Sequence, residues 1–145
     1  MGTVAVKWVA SQLMTGVDSL GHPLVMGSWP EREPEWDGLK PSDLLLLAAA
    51  SCSAYDVVMI LTKQREPMEG LEVLCTGEQM SDPPYAFTSI HLHYIVKGPV
   101  NPRKVERAIQ LSEEKYCSVL NTLKPTVKVT SDFEIVDGEE RSRRG

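Results

Sequence analysis

The chain has 145 residues, 15 basic and 20 acidic, for a formal net charge of −5. That length suits one domain, and 42% hydrophobic with 24% charged residues is ordinary globular composition rather than disorder, enough for a core without disulfides or a structural metal. The acidic balance argues against nucleic acid and anionic membranes as partners, since basic surface binds both.

The chain opens on Met1-Gly2-Thr3 with no charged region ahead of an apolar run, so no secretory signal is expected. Val4, Val6 and Trp8 alternate with Thr3, Ala5 and Lys7, which is strand patterning. A turn-rich stretch from Gly16 to Gly21 precedes a short strand, Pro23 to Met26. Residues 3–27 therefore read as a meander of two or three antiparallel strands. Ser28 to Lys40 reads as a loop, because two prolines, a glycine and alternating charge disfavour regular structure. Its Trp29 and Trp36 need a surface, either as a flap over a cleft or a partner chain, or as pins on their own domain.

Pro41 suits the first helical position and Asp43 the first turn, so a helix is expected from Pro41 to Arg65 or Glu66, ahead of Pro67. Leu44 to Ala50 and Val57 to Leu61 are all apolar. Such a helix must be buried on most sides, which implies a second subunit. Its uncharged stretch, Leu44 to Tyr55, is too short for a bilayer, which needs about 20 residues. Two long strands follow, Leu71 to Met80 and Phe87 to Lys97. The second sends Ile90, Leu92, Tyr94 and Val96 to one face and Ser89, His91, His93 and Ile95 to the other. Asn101 as cap and Pro102 start a second helix, with Val105, Ile109, Tyr116, Leu120 and Leu123 as its apolar stripe and Pro125 as its stop. Thr126 to Val136 is a last strand, and residues 137–145 form a tail. The order β-β-(β)-α-β-β-α-β gives a single α+β domain over residues 1–136, built on antiparallel pairing.

Three cysteines make no disulfide framework. A cytoplasmic protein with reduced thiols is expected. Cys52 lies mid-helix among Ala48, Ala49, Ala50, Ser51, Ser53 and Ala54, small residues that admit another backbone or a ligand. Cys117 lies on or beside the apolar stripe of the second helix. Packing of the two helices would bring these thiols together; equally, both fit as small core hydrophobes, the commoner fate of free cysteine. Cys75 has no polar company and reads as structural. A reactive Cys52 faces a difficulty: it is too far from the helix N-terminus for the dipole to act, and Asp56, one turn on, opposes a thiolate. Activation then needs a cation, with Lys7, Arg32 and Lys40 as candidates. His91 and His93 share one strand face and make half a metal site, but no further ligand pattern completes it. No nucleotide or phosphate-binding fingerprint occurs, so neither metal nor cofactor is expected.

The stretch Lys40-Pro41-Ser42-Asp43-Leu44 through Ala50-Ser51-Cys52-Ser53-Ala54-Tyr55-Asp56-Val57-Val58 resembles the signature of OsmC-like proteins, the osmotically induced and organic hydroperoxide resistance group. Phe87 to Tyr94, followed by Leu111-Ser112-Glu113-Glu114-Lys115-Tyr116-Cys117-Ser118-Val119, is similar to its second signature, and Val6-Lys7-Trp8-Val9 looks like the YhfA-type branch. The resemblance covers roughly residues 3–136. It implies an intertwined homodimer with antiparallel sheets wrapped around two helices. It also implies a thiol peroxidase acting on organic hydroperoxides, with Cys52 peroxidatic, Cys117 resolving, and an external dithiol, lipoyl or thioredoxin-like, as reductant. The family's activating arginine and glutamate have no direct counterparts: Arg32 is the first arginine in the chain, Ser42 holds the acidic slot, and Asp43 follows it. Asp43 and Arg32 are the candidates for those roles, Arg32 across the dimer. The alternatives are a redox-sensing or ligand-binding dimer without efficient turnover, and a structural dimer with both thiols in the core.

Overall fold

A computed structural model of the chain describes residues 2–28 and 36–136. Two compact units divide it, Met1–Leu45 and Leu46–Gly145.

In the first unit, β1 (Ala5–Ala10), β2 (Gln12–Val17) and β3 (Pro23–Ser28) form an antiparallel meander in that order, the expected meander with three strands, in which Gly16 and Val17 belong to β2 and not to the turn. The link from β2 to β3 is an Asx turn: the Asp18 carboxylate accepts the N–H groups of Leu20 and His22, each at 2.8 Å. Gly27 has φ +96°, and a Cβ there would collide with the Gln12 carbonyl oxygen, so only glycine lets β3 lie against β2. Trp36 bridges to Ser28, with the Lys40 ammonium 5.2 Å from its ring centroid. Trp29 and Arg32 lie outside the described residues. Val6, Trp8 and Val25 are exposed in the single chain.

The second unit is built on a sheet of β4 (Gly70–Gln79), β5 (Phe87–Lys97) and β6 (Lys128–Val136), in that order. Strands β4 and β5 pair antiparallel, as expected. The expectation of wholly antiparallel pairing fails at β5 and β6, which run parallel from Ser89↔Lys128 to Lys97↔Val136. The cause is the intervening helical segment, which returns the chain to the end of the sheet where β5 begins, as a parallel crossover must. On β5 the inward set is the one its alternation predicts: Ile90, Leu92, Tyr94 and Val96 are all essentially inaccessible.

Helix α1 (Pro41–Lys63) places Ala49, Ser53, Val57 and Leu61, spaced four apart, in this core. Its other faces stay open: Leu47, Tyr55, Val58 and Met59 are exposed. By length and composition the whole helix is apolar enough to cross a membrane, with a window mean hydropathy of 2.1, although its uncharged stretch alone is short.

The second helix is not the single rod expected from Asn101 to Pro125. It consists of α2 (Pro102–Leu111), a π-turn (Ser112–Tyr116) and the short α3 (Ser118–Leu123), with Cys117 extended between the last two (φ −76°, ψ 107°). The start is as expected, with the Asn101 side chain accepting the Arg103 N–H at 2.9 Å. The break shifts the helical register, so Tyr116 leaves the apolar stripe and is exposed beneath the Lys115 ammonium, while Cys117 and Leu120 are fully buried.

Candidate active site

The π-turn explains where Cys117 goes. The Cys117 N–H reaches back five residues to the Ser112 carbonyl at 2.8 Å, the closure that defines such a turn. Cys117 then caps α3, its sulfur accepting the Leu120 N–H at 3.4 Å. The Asn121 amide fixes the same corner by donating to the carbonyls of Cys117 (2.8 Å) and Glu113 (3.3 Å).

This corner meets α1 at Cys52. The Ser118 hydroxyl lies 3.9 Å from the Cys52 sulfur, and the Cys117 thiol and the N–H groups of Ser118 and Val119 act with it as donors that favour the Cys52 thiolate. Desolvation pushes the Cys52 pKa up, but these donors outweigh it and leave Cys52 more acidic than an ordinary thiol. Cys117 moves the other way: burial raises its pKa first, and the neighbouring Cys52 sulfur raises it further. One thiol is thus poised to ionise and the other to keep its proton. The candidates that the sequence offers for activating Cys52 are cations, and these donors are not among them. They belong to the first turn of α3, which exists only because the helix breaks at Cys117.

Asp56 does not simply face Cys52. Its carboxylate accepts the Ser112 hydroxyl at 2.9 Å. The Ser112 oxygen is 2.9 Å from Ser53 Oγ, which is 2.6 Å from the Tyr94 hydroxyl. The sequence signal for this chain was Tyr94 on the inward face of β5, since a buried tyrosine hydroxyl usually finds a partner. Burial drives the Tyr94 pKa well above the ordinary phenol value. Asp43 is exposed in the first turn of α1 and belongs to the first unit. Cys75 is partly buried against the core, where desolvation raises its pKa.

His91 and His93 do share a face, and β6 supplies the carboxylates that the sequence pattern lacked. Asp132 Oδ1 lies 3.0 Å from His91 Nε2 and 2.6 Å from His93 Nδ1, with Glu134 3.7 Å from His93 Nε2. No group of three ligating side chains among the described residues is arranged to hold a metal ion. The second unit also has surface grooves of about 450 and 480 Å³, and neither includes Cys52 or Cys117 in its lining.

The model of the OsmC-like protein family matches residues 34–132. The chain belongs to the OsmC-like family. It is 40% identical to Protein YhfA of Escherichia coli K12 over 133 residues, covering 90% of this chain and 96% of that one. Among solved structures, the OsmC-like protein from Mycoplasma pneumoniae superposes with a TM-score of 0.79 at 17% identity, covering 94% of this chain and 97% of the other. The organic hydroperoxide resistance protein OhrB of Bacillus subtilis gives 0.63 at 14% identity, covering 92% and 98%. These two likenesses establish the OsmC fold, which the two sheets and the broken second helix express here.

Proposed function

We propose that the protein is a thiol peroxidase that reduces organic hydroperoxides, working as a homodimer in a reducing cytoplasm. The supporting observation is the asymmetric cysteine pair: a Cys52 made more acidic by hydrogen bonds, one of them from a Cys117 that holds its proton. The names of the hydroperoxide resistance proteins that share the fold point the same way.

In this reading the Cys52 thiolate attacks the terminal peroxide oxygen. An S–O bond forms, the O–O bond breaks, and the alkoxide leaves and takes up a proton as the alcohol. Cys117 then attacks the Cys52 sulfenic acid, forming the S–S bond, and its proton leaves with the hydroxide as water. An external dithiol, lipoyl or thioredoxin-like, restores both thiols by exchange and is itself oxidised. The exposed apolar side chains of α1, Leu47, Tyr55, Val58 and Met59, support a second subunit, which light scattering tests. Arg32 is offered as a cation supplied across the dimer and Asp43 as its acidic companion; an Arg32→Ala variant with an unchanged peroxidase rate removes the former.

The reading is tested by intact mass and thiol counting after one equivalent of cumene hydroperoxide. Wild type should lose two thiols, Cys117→Ser should stop at a trappable sulfenic acid on Cys52, and Cys52→Ser should not react. A wild type whose thiols survive for minutes refutes it. A second reading, a redox sensor of the same fold, is favoured by the donors at Cys52 being, among the described residues, a thiol, amides and a hydroxyl. It predicts disulfide formation without sustained turnover on a dithiol.

A further inference from the structure

We infer that Ser112 is a positioning residue for the cysteine pair, locking the π-turn to α1 through its own hydrogen bonds to Ser53 and Asp56, at the near end of the chain Tyr94–Ser53–Ser112–Asp56, and so holding Cys117 on Cys52. The inference deepens the peroxidase reading and rests on it for the chemistry of the peroxide step.

The direction of the chain follows from proton counting. The Ser112 hydroxyl donates to Asp56 Oδ2, so it accepts from Ser53, and Ser53 in turn accepts from Tyr94. Ser112 therefore touches α1 twice through its side chain, at Ser53 and at Asp56. Through its carbonyl it holds the Cys117 N–H. Cys52 is the neighbour of Ser53 on the same helix. Both sulfurs are thereby referenced to one residue, Cys52 through α1 and Cys117 through the turn.

Packing alone does not call for this arrangement. Ser53, Ser112 and Tyr94 are all fully buried, where alanine or phenylalanine would avoid the cost of desolvating a hydroxyl. What the hydroxyls add is direction. If the π-turn relaxed to an ordinary α-turn, every residue beyond it would rotate by about 100° about the helix axis. Cys117 would leave Cys52, and the amides of Ser118 and Val119 would go with it.

The test measures two properties of the full-length protein. Rapid mixing with cumene hydroperoxide at pH 9.5, followed by quenching with a sulfenic acid trap and mass analysis, separates oxidation of Cys52 from closure of the disulfide. Equilibration in dithiothreitol redox buffers measures the stability of the Cys52–Cys117 disulfide without any peroxide. Ser112→Ala and Asp56→Ala should each slow disulfide closure at least tenfold, with sulfenic acid accumulating, while Cys52 oxidation changes less than threefold. Both should also shift the redox equilibrium at least tenfold toward the dithiol. Asp56→Asn, which keeps an acceptor for Ser112, should restore both properties. Tyr94→Phe, which removes only the far end of the chain, should stay within threefold of wild type although it melts at a lower temperature. Wild-type closure and equilibrium in either folded alanine variant overturn the inference, as does a loss that merely tracks melting temperature across the set. A wild type that ignores the peroxide but closes its disulfide in the buffer refutes the peroxidase reading, and the equilibrium arm still decides the role of Ser112. A pair that forms no disulfide in either arm overturns both.

Discussion

Removing the Cys117 thiol should make Cys52 less acidic, by an amount that follows from its hydrogen bonds. Cys117→Ala deletes one donor to the Cys52 sulfur. A hydrogen bond to a charged group is worth about 1.5–3 kcal/mol. Sulfur is a weak acceptor, so the lower end applies, and at 1.36 kcal/mol per pKa unit the shift is about one unit upward. The same substitution removes the sulfur that accepts the Leu120 N–H, a cap worth about 1 kcal/mol, and loosens the Ser118 and Val119 amides that also serve Cys52. Cys117→Ser keeps both an O–H donor and a capping oxygen and should shift Cys52 by less than half a unit. The assay is the rate of reaction with dithiodipyridine from pH 5 to 10, read at Cys52 by mass. Near pH 7 a one-unit rise cuts the thiolate fraction about tenfold, while each thiolate becomes about threefold more nucleophilic at a Brønsted slope near 0.45. The alanine variant should therefore react about three- to fourfold more slowly there, and its profile should reach its plateau one unit higher. Profiles for wild type and Cys117→Ala that overlay within 0.3 unit would refute the hydrogen-bond account.

Leu61 is fully buried on the core face of α1, so Leu61→Ala should cost about 2–5 kcal/mol in urea unfolding with an unchanged m-value. Burial raises the pKa values of Cys117, Cys75 and Tyr94 in the folded state. The unfolded chain therefore binds fewer protons above about pH 8.5, and stability should fall as pH rises further, with Cys52 opposing in part; melting temperatures from pH 7 to 11 check this, and Tyr94→Phe should flatten the decline above pH 10. Asp132 holds the His93 pKa up, chiefly by hydrogen bonding, against desolvation and with help from Glu134, and is itself held low by His93 and His91. The stabilisation from His93 is complete below its unfolded value and lost as pH rises through the raised one, while that from Asp132 is lost as pH falls through its depressed one. NMR titration of Asp132→Asn should therefore show the His93 pKa falling, with Glu134 and the neighbouring His91 left in place.

The strands were legible because alternation leaves little choice: the inward set of β5, from Ile90 to Val96, is what period two demands when one face is buried. The parallel partnering of β5 with β6 was not, since direction depends on how a crossover returns the chain and no residue in Thr126 to Val136 encodes it. The break at Cys117 was hidden for a different reason. Lys115-Tyr116-Cys117-Ser118 contains neither glycine nor proline, the usual marks of an interrupted helix. The interruption is held by distant groups, Ser53 and Asp56 on α1, and by Asn121 one turn later. The pair Cys52 and Cys117 came from a motif resemblance, whereas the donors that tune Cys52 exist only once the helix is broken.

That break bears on the physical difficulty that a reactive cysteine in mid-helix would face. Cys52 gains nothing from the dipole of α1, so its donors must come from another element whose amides are unspent. An unbroken helix has none to offer along its side, because its interior N–H groups are bonded within it. Breaking the helix at Cys117 frees the amides of Ser118 and Val119 and turns them on Cys52, and the residue at the break is the second cysteine. Under the peroxidase reading, the bond that makes Cys52 acidic is thus given by the sulfur that attacks it after oxidation. Its cost is that Cys117 is a poor nucleophile until its proton departs, since burial and the neighbouring sulfur both keep it protonated. Under the peroxidase reading, closure of the disulfide should then accelerate with pH beyond the point where oxidation of Cys52 has levelled off. Two rate profiles that level off together would mean that Cys117 does not have to shed its proton before the disulfide closes.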